Sequence, residues 1–198
     1  MATFPLPNIP PQSYQAGGLS FGNQRQWQVH AACDLLAPAG TEVYAVEGGK
    51  VWYGPRQFFL SGPQHRSGGK IECNEGSTCI MTYEIAIIHP RFIIRYGEVG
   101  PRKAEGIGPG ADVTEGQVIG YVGPQSVNTM LHLEMYSNTE DLDPLTQESN
   151  TKYINIPGSL NFKRRKDLMD PTDYLFRSVL KKNRGVQEQD EYQWRPGG

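Results

Sequence analysis

A mainly β fold built from antiparallel strands is predicted for this chain. Its 198 residues suit one domain that can bury its own core. The 23 glycines and 15 prolines exceed what a helical protein normally carries and are usual in a turn-rich fold. Several segments alternate apolar and polar residues with a period of two, which is the pattern of a half-buried strand. We therefore expect an antiparallel β-sheet with hairpins, long loops and a short C-terminal helix.

The first predicted hairpin lies near residue 50. It joins a strand at 41–46 to a strand at 50–53 through the small turn 47–49. The segment 54–70 that follows is rich in glycine and proline, and we expect a long irregular loop there. His65 within this loop is expected to be a surface residue or, alternatively, to reach a nearby groove.

A second hairpin is predicted from strands at 79–88 and 92–99. The turn lies at 89–91, because the residue before a proline is held in an extended conformation. His89 therefore is expected at the surface rather than at a metal site.

Three residues have the side chains and spacing of metal ligands. His30 and Asp34 are four residues apart, so in an extended segment they share one face. His132 lies in the alternating segment 130–136. Two imidazoles and one carboxylate are the ligands of a catalytic zinc site, with water in the fourth position. On the residues alone, a strand histidine is more often a core residue, so both roles stay open.

Four blocks of sequence, in order, resemble the lysostaphin-type (LytM-like) zinc endopeptidases. The first block is 28–51, with His-Ala-Ala-Cys-Asp at 30–34, Ala-Pro-Ala-Gly-Thr-Glu-Val-Tyr-Ala at 37–45 and Gly-Lys-Val at 49–51. The second is Val-Thr-Glu-Gly-Gln-Val-Ile-Gly-Tyr-Val-Gly at 113–123. The third and fourth are Met-Leu-His-Leu-Glu-Met at 130–135 and Asp-Pro-Thr-Asp-Tyr-Leu at 170–175, and together the blocks cover most of residues 25–176. The resemblance implies a duplicated-hybrid-motif-like β fold and a Zn²⁺ cofactor. It also implies that His30, Asp34 and His132 bind the metal.

The resemblance further implies metal-assisted amide hydrolysis. Zinc polarises the scissile carbonyl and lowers the pKa of bound water from about 15.7 to about 7. Family members add two histidines that do not bind the metal, and here Met130 and Glu98 replace them. Methionine donates no hydrogen bond, and losing one donor to the oxyanion costs roughly 3 kcal/mol. A carboxylate is a competent base, so Glu98 is predicted as the general base and Tyr96, expected on the same strand face, as the oxyanion donor.

Three neighbours of these residues are predicted to support a ligand or contact substrate. Glu134 and Met130 are expected on the same strand face as His132. Arg25 precedes the first metal histidine and either supports the site or is solvated.

The cysteine count is odd. Cys33 alternates with Asp34 and is expected to face the core as a small apolar residue. Cys73 and Cys79 flank a turn-like loop, where a disulfide, two reduced thiols and part of a structural metal site all stay open.

Domain organisation follows from composition along the chain. Residues 1–19 are rich in proline and end in glycines, so we expect an extended N-terminal arm that does not pack. Residues 20–180 form the single folded domain, which closes with a helix capped by Asp170 and ending near Leu180. Residues 181–198 are polar and are expected to be disordered.

Charge and hydropathy limit the classes of partner. A net charge of -2 gives no electrostatic reason to expect nucleic acid or an anionic membrane as partner. The basic run 163–166 is predicted as a solvated face or, alternatively, a site for phosphate or an anionic polymer. No apolar stretch approaches the roughly 20 residues of a membrane span. The first residues lack the basic and apolar regions of a signal peptide, so we expect synthesis in the cytoplasm, with any export by a leaderless route such as specialised secretion or a phage apparatus.

Two functions of different classes follow. In the first, the protein is a zinc metalloendopeptidase that hydrolyses peptide bonds of bacterial cell-wall peptidoglycan or of another peptide substrate. In the second, it is a catalytically inactive peptidase fold that binds peptide, glycan or a protein partner. The retained His-Asp-His set favours the first, and the two replaced histidines with the missing leader favour the second. The oligomeric state is left open.

Overall fold

The computed structural model describes residues 2–24, 29–61, 64–67, 70–76, 78, 80–125, 128–142, 145–147, 153–155 and 163–183. These residues form one 3₁₀ turn, Gly17–Leu19, with fourteen strands and one α-helix. In chain order they are β1 (Cys33–Leu36), β2 (Glu42–Tyr44), β3 (Gly49–Ser61), β4 (Gln64–Ser67), β5 (Lys70–Cys73), β6 (Ile80–Ile88), β7 (Ile93–Lys103), β8 (Asp112–Val113), β9 (Val118–Val122), β10 (Met130–Tyr136), β11 (Thr146–Gln147), β12 (Tyr153–Asn155), β13 (Lys163–Arg165), β14 (Leu168–Met169) and α1 (Thr172–Asn183).

A nine-stranded antiparallel sheet organises the fold. Its main path is β1-β10-β7-β6-β3-β8, with β14 beside β10, and β9 paired with both β2 and β7. Two smaller sheets, β11-β13-β12 and β4-β5, stand apart from it. The predicted mainly β, antiparallel fold with a short C-terminal helix is confirmed.

One face of the sheet carries the main core. Along β10, Leu131, Leu133 and Met135 are buried in this core, as the period-two pattern predicts. Cys33 is also buried there, as expected from its position beside Asp34. Helix α1 contributes Leu175 to this core. Asp170 caps the start of the helix, because its Oδ1 accepts from the Thr172 amide at 2.9 Å.

The pairing of the strands differs from the first predicted hairpin. β2 pairs with β9, and β3 pairs with β8 and β6, so 41–46 and 50–53 do not form a ladder. The amide of Ala45 donates to Gln117 O at 2.9 Å, and Ala45 O accepts from the Gly116 amide at 2.8 Å. Both backbone groups of Ala45 are therefore hydrogen-bonded to residues 116 and 117 and not to β3. The second hairpin, β6 with β7, forms as predicted.

Residues 54–61 form a strand rather than the start of an irregular loop. They extend β3 along β6, with Arg56 opposite Glu84 and Phe58 opposite Thr82. The ladder skips Gly54 and Pro55 through a register shift, and β8 pairs only with the first residues of β3. Proline is tolerated where its missing amide faces no partner strand, so the composition misled the prediction.

The N-terminal segment packs into the core, contrary to the expected unpacked arm. Phe4 and Leu6 are each 1% exposed and belong to the main core. The segment is also held by its backbone, because the Thr3 amide donates to Val46 O at 2.7 Å and the Tyr44 amide to Pro5 O at 2.9 Å. The burial of two large apolar side chains explains why this proline-rich segment packs instead of extending as a free arm.

Replacing Leu6 with alanine is expected to lower the free energy of unfolding by about 2–5 kcal/mol, because it empties a fully buried site. Urea unfolding measures the change. The matched control is Ile9→Ala, at a side chain that is 37% exposed, for which we expect less than about 0.5 kcal/mol. Equal, small effects at both positions would mean that the segment adds nothing to the core.

The basic run is only partly a solvated face. Lys166 is exposed, but Arg165 is buried, and its guanidinium donates to Asp167 Oδ1 at 2.9 Å and to Asn138 O at 3.1 Å. Arg165 therefore ties β13 to the turn after β10. The predicted disordered tail begins at residue 181, whereas α1 continues to Asn183. Residues 184–198 lie outside the described residues, as do the side chain of Cys73 and all of Cys79. None of the described helices is long and apolar enough to cross a membrane.

Candidate metal centre

The pairing of β1 with β10 brings the three predicted ligands together. Asp34 lies directly opposite His132 in the ladder, and His30 precedes β1 by three residues. One potential ligand atom from each of the three side chains lies within 4.8 Å of the other two. His30 and Asp34 are buried, and His132 is partly exposed. The cluster therefore sits where β1 meets β10, and of its three side chains His132 is the one that is partly exposed to solvent.

His30 is held in the tautomer that a metal requires. Its Nδ1 donates to the carbonyl of Ser20 at 2.8 Å, which leaves Nε2 with a free lone pair when the ring is neutral. Nε2 is buried without a hydrogen-bond partner among the described residues, although it lies 3.1 Å from Asp34 Oδ1. A lone pair facing a carboxylate oxygen at this distance is repulsive, and either a proton on Nε2 or a metal ion between the two atoms removes this repulsion.

His132 is bonded on both ring nitrogens to carboxylates. Nδ1 donates to Asp34 Oδ1 at 2.8 Å and Nε2 to Glu134 Oε1 at 3.2 Å, so without a metal the ring is an imidazolium. Burial alone would lower the pKa of His132, but the bonds to Asp34 and Glu134 outweigh it and raise the pKa to about 9. Burial would likewise raise the pKa of Asp34, yet the two histidines hold it well below its usual range.

A zinc ion fits this donor set. Neutral imidazole nitrogens and one carboxylate are its preferred ligands outside cysteine sites, with bonds of about 2.0–2.2 Å. In a tetrahedron with such bonds, ligand atoms lie roughly 3.3 Å apart. The 3.1 Å and 2.8 Å separations of the two histidine nitrogens from Asp34 Oδ1 are close to that value. His30 Nε2, which has no hydrogen-bond partner in the described part of the chain, is the atom that a metal would satisfy.

Behind His132, charged side chains continue in a row across the sheet that is buried as far as Glu84 and ends at the exposed Arg56. Glu134 Oε1 accepts from Arg95 Nη1 at 2.8 Å, and Glu134 Oε2 accepts from the Tyr136 hydroxyl at 2.6 Å. Arg95 also donates through Nε to Glu84, which accepts in turn from Arg56 Nε at 2.9 Å. We call Asp34, His132, Glu134, Arg95, Glu84 and Arg56 the charged row.

The charged row follows the sheet order β1-β10-β7-β6-β3, with at least one member on each strand. Glu134 contacts His132 directly, and its role in supporting that ligand stays a prediction. Arg95 and Glu84 were missed by sequence reasoning. The available signal was their position as charged residues inside the apolar strands β7 and β6, since buried charges need partners.

Glu98 lies next to the residue that faces His132. Gly97 is the ladder partner of His132, and Glu98 is the extra residue of a bulge between β6 and β7. Its φ of 63° is in the left-handed region, which is uncommon and strained for a residue other than glycine. The side chain is 7% exposed and accepts a hydrogen bond from Gln125 Nε2. The bulge thus fixes one buried carboxylate beside the metal strands.

The structure does not bring Tyr96 to the cluster. It pairs with Leu133 and points into the main core, on the face opposite to His132. Its hydroxyl accepts from the Val46 amide at 3.1 Å. The expected shared face of Tyr96 and Glu98 is lost because the bulge interrupts the alternation of β7.

The remaining predicted neighbours have different outcomes. Met130 lies in β10, partly buried and two residues before His132, which places it on the same strand face as that ligand. Arg25 lies outside the described residues.

His89 is buried, contrary to its expected place at the surface. Its Nδ1 donates to Gly48 O at 3.1 Å, and its Nε2 accepts from the Tyr96 hydroxyl at 3.3 Å. Burial lowers the pKa of His89, and the bond to Gly48 offsets only part of this effect. The ring is therefore neutral and ties the turn after β2 to the core.

We expect the contribution of His89 to stability to be lost in acid. The unfolded chain binds a proton below a pKa of about 6.5, whereas the folded protein resists protonation, so stability falls as the pH drops below that value. The limit is about 1.4 kcal/mol per pH unit. Urea unfolding of the wild type and His89→Gln from about pH 7.5 to 5.5 isolates this effect. A difference between the two proteins that stays constant with pH would contradict it.

Several solved structures are similar to this chain. CbpA from L. salivarius REN matches with a TM-score of 0.50 and 16% identity, over 91% of this chain and 97% of that chain. The catalytic domain of the antimicrobial peptidase lysostaphin from Staphylococcus simulans matches with a TM-score of 0.48 and 20% identity, over 80% of this chain and 90% of that chain. Csd3 from Helicobacter pylori matches with a TM-score of 0.42 and 19% identity, over 92% of this chain but 42% of that chain.

These similarities concern the fold. At 16% identity, the match to CbpA shows a shared architecture and carries no statement about activity. No family model and no curated protein matches the sequence. The function must therefore be argued from the site.

Proposed function

We propose that this protein is a zinc-dependent peptidase that hydrolyses peptide bonds of bacterial cell-wall peptidoglycan. The observation that carries the proposal is the convergence of His30, Asp34 and His132, with the buried Nε2 of His30 unpartnered among the described residues. The resemblance of four ordered sequence blocks to lysostaphin-type endopeptidases supports the substrate class. An open site with three protein ligands is typical of catalytic rather than structural zinc.

Each ligand atom is defined by its contacts. His30 Nε2, Asp34 Oδ1 and His132 Nδ1 would hold the ion, since Ser20 and Glu134 occupy the other nitrogen of each ring. When bound, zinc would polarise the scissile carbonyl and lower the pKa of a coordinated water. Glu134 would keep the proton on His132 Nε2 and so fix the direction of Nδ1.

Glu98 is proposed as the general base. A carboxylate at the edge of a metal site takes a proton from the attacking water and returns it to the amine of the leaving group. Its bulge conformation and its hydrogen bond to Gln125 hold the carboxylate in one orientation. Tyr96 has no part in this scheme, because its hydroxyl is buried in the core.

The test is zinc content joined to a peptidoglycan assay. We expect about one equivalent of zinc per chain and release of new amino groups from purified cell walls. Chelation should abolish the release, and added zinc should restore it while magnesium should not. A protein that binds no zinc after dialysis against it would overturn the proposal.

A second candidate is a binding module that has lost catalysis. Met130 favours it, because a thioether on the strand face of His132 cannot donate a hydrogen bond to an oxyanion. The same preparation separates the two functions. Co-sedimentation with cell walls, with zinc bound and no amino groups released, would support the binding module.

A further inference from the structure

We propose that Arg95 is the positioning residue of the metal centre, acting on His132 through Glu134. This inference rests on the proposed zinc site and adds a residue outside the ligand set. Arg95 lies on β7, directly opposite Glu134 of β10, and touches none of the three ligands in the contacts described above. Its effect therefore passes through the carboxylate that it shares with His132.

Because Arg95 is buried, its guanidinium needs charged hydrogen-bond partners within the protein. Glu84, Arg95 and Glu134 are all buried, and a buried charge is tolerated only when it is paired and hydrogen-bonded. Arg95 meets this condition by donating from Nε to Glu84 and from Nη1 to Glu134, with its guanidinium 4.8 Å from the centre of the Phe58 ring. Replacing such a row by apolar residues is often neutral for stability, so its presence points to a role beyond stability.

The fork of arginine suits this position. Two donors on different edges of a rigid plane reach two carboxylates that lie on either side of β7. A lysine keeps the charge, but its single ammonium is drawn toward both carboxylates and cannot reproduce the separate bonds. The arginine thus fixes Glu134 Oε1 in place, rather than only neutralising it.

The position of Glu134 sets the direction of the His132 ring. Glu134 Oε1 accepts from Nε2, so the opposite nitrogen, Nδ1, faces Asp34. Gly97 permits this orientation, because a Cβ there would lie 3.3 Å from His132 Cδ2. Carboxylates that hold the far nitrogen of a metal-binding histidine typically change metal affinity by about 10–100-fold when lost. A displaced Glu134 should weaken zinc binding in the same way.

The decisive variant is Arg95→Lys. We expect its zinc dissociation constant, measured by competition with a chelating dye, to rise about tenfold, with folding confirmed by circular dichroism. The matched control is Arg56→Lys, which changes the other arginine bonded to Glu84 and leaves the Arg95–Glu134 bond intact. The control should stay within about twofold of wild type. An unchanged constant in Arg95→Lys, or an equal rise in both variants, would overturn the inference.

A rescue variant guards against simple misfolding. In Arg95→Lys with Glu84→Gln, the competing carboxylate is removed and the lysine is left to pair with Glu134. We expect zinc affinity to return to within about threefold of wild type. A double variant as weak as Arg95→Lys alone would contradict a positioning role.

A measurement without metal separates this inference from the proposed function. Nitrogen-15 NMR of the histidine rings should show a protected His132 Nε2 proton in the metal-free wild type and its loss in Arg95→Lys. If the wild type binds no zinc, the proposed function fails while this comparison still tests the link from Arg95 to His132. An identical Nε2 signal in the two proteins would overturn the link itself.

Discussion

Replacement of His132 by alanine is expected to lower the affinity for zinc by about a thousandfold. If roughly 12 kcal/mol of zinc binding is shared among three ligands, the loss of one costs about 4 kcal/mol. The change also leaves Asp34 and Glu134 without the imidazole that lies between them. Metal content after dialysis and titration with a chelating dye measure the affinity.

The matched control for this variant is His89→Gln. His89 is a buried histidine too, but its bonds go to Gly48 and Tyr96 in and beside the core. We expect this variant to lose stability and to keep its affinity for zinc. Equal loss of zinc in both variants would mean that general unfolding, not a missing ligand, explains the result, and full retention in His132→Ala would refute the centre.

The second large effect is expected from Glu98→Gln. The amide keeps the shape of the side chain but cannot take a proton, so kcat should fall by about 10²–10⁴-fold. Zinc affinity should be unchanged, because Glu98 is not among the three converging ligands. Because glutamine meets the same backbone strain at a φ of 63°, the free energy of unfolding should change little.

The assay for Glu98→Gln is the release of amino groups from cell walls at saturating zinc. Glu115→Gln is the control, because it removes an exposed carboxylate that accepts from the Thr3 hydroxyl at 2.9 Å. Full activity in Glu98→Gln would show that another group moves the proton. A drop in zinc affinity would instead identify Glu98 as a ligand.

The parts of the site that sequence could predict are those fixed by local alternation. The period of two along β10 places His132 and Glu134 on one face of the strand and the buried Leu131 and Leu133 on the other. His30 and Asp34 were found from their spacing and from the resemblance of the surrounding blocks. The structure brings His132 to both of them because β1 pairs directly with β10.

The features that escaped prediction depend on non-local structure. The bulge at Glu98 interrupts the alternation of β7, so Glu98 no longer shares a face with Tyr96, which stays beside Ile94 in the core. The bond of Arg95 to Glu134 joins residues 39 apart, which no short pattern encodes. Phe4 and Leu6 pack into a core made by apolar side chains of distant strands, whereas the local sequence indicated only a proline-rich segment.

The charged row crosses five strands, so its contacts join residues at very different separations along the chain. Arg56 and Glu84 are 28 residues apart, whereas Asp34 and His132 are 98 apart. Loop-closure entropy rises with separation, so contacts between distant segments form at a higher initial cost than those of a hairpin. The pairing of β1 with β10 is thus expected to complete both the sheet and the ligand set. Zinc would then bind only after β1 has paired with β10, so the ion would stabilise the fully folded state and not earlier intermediates.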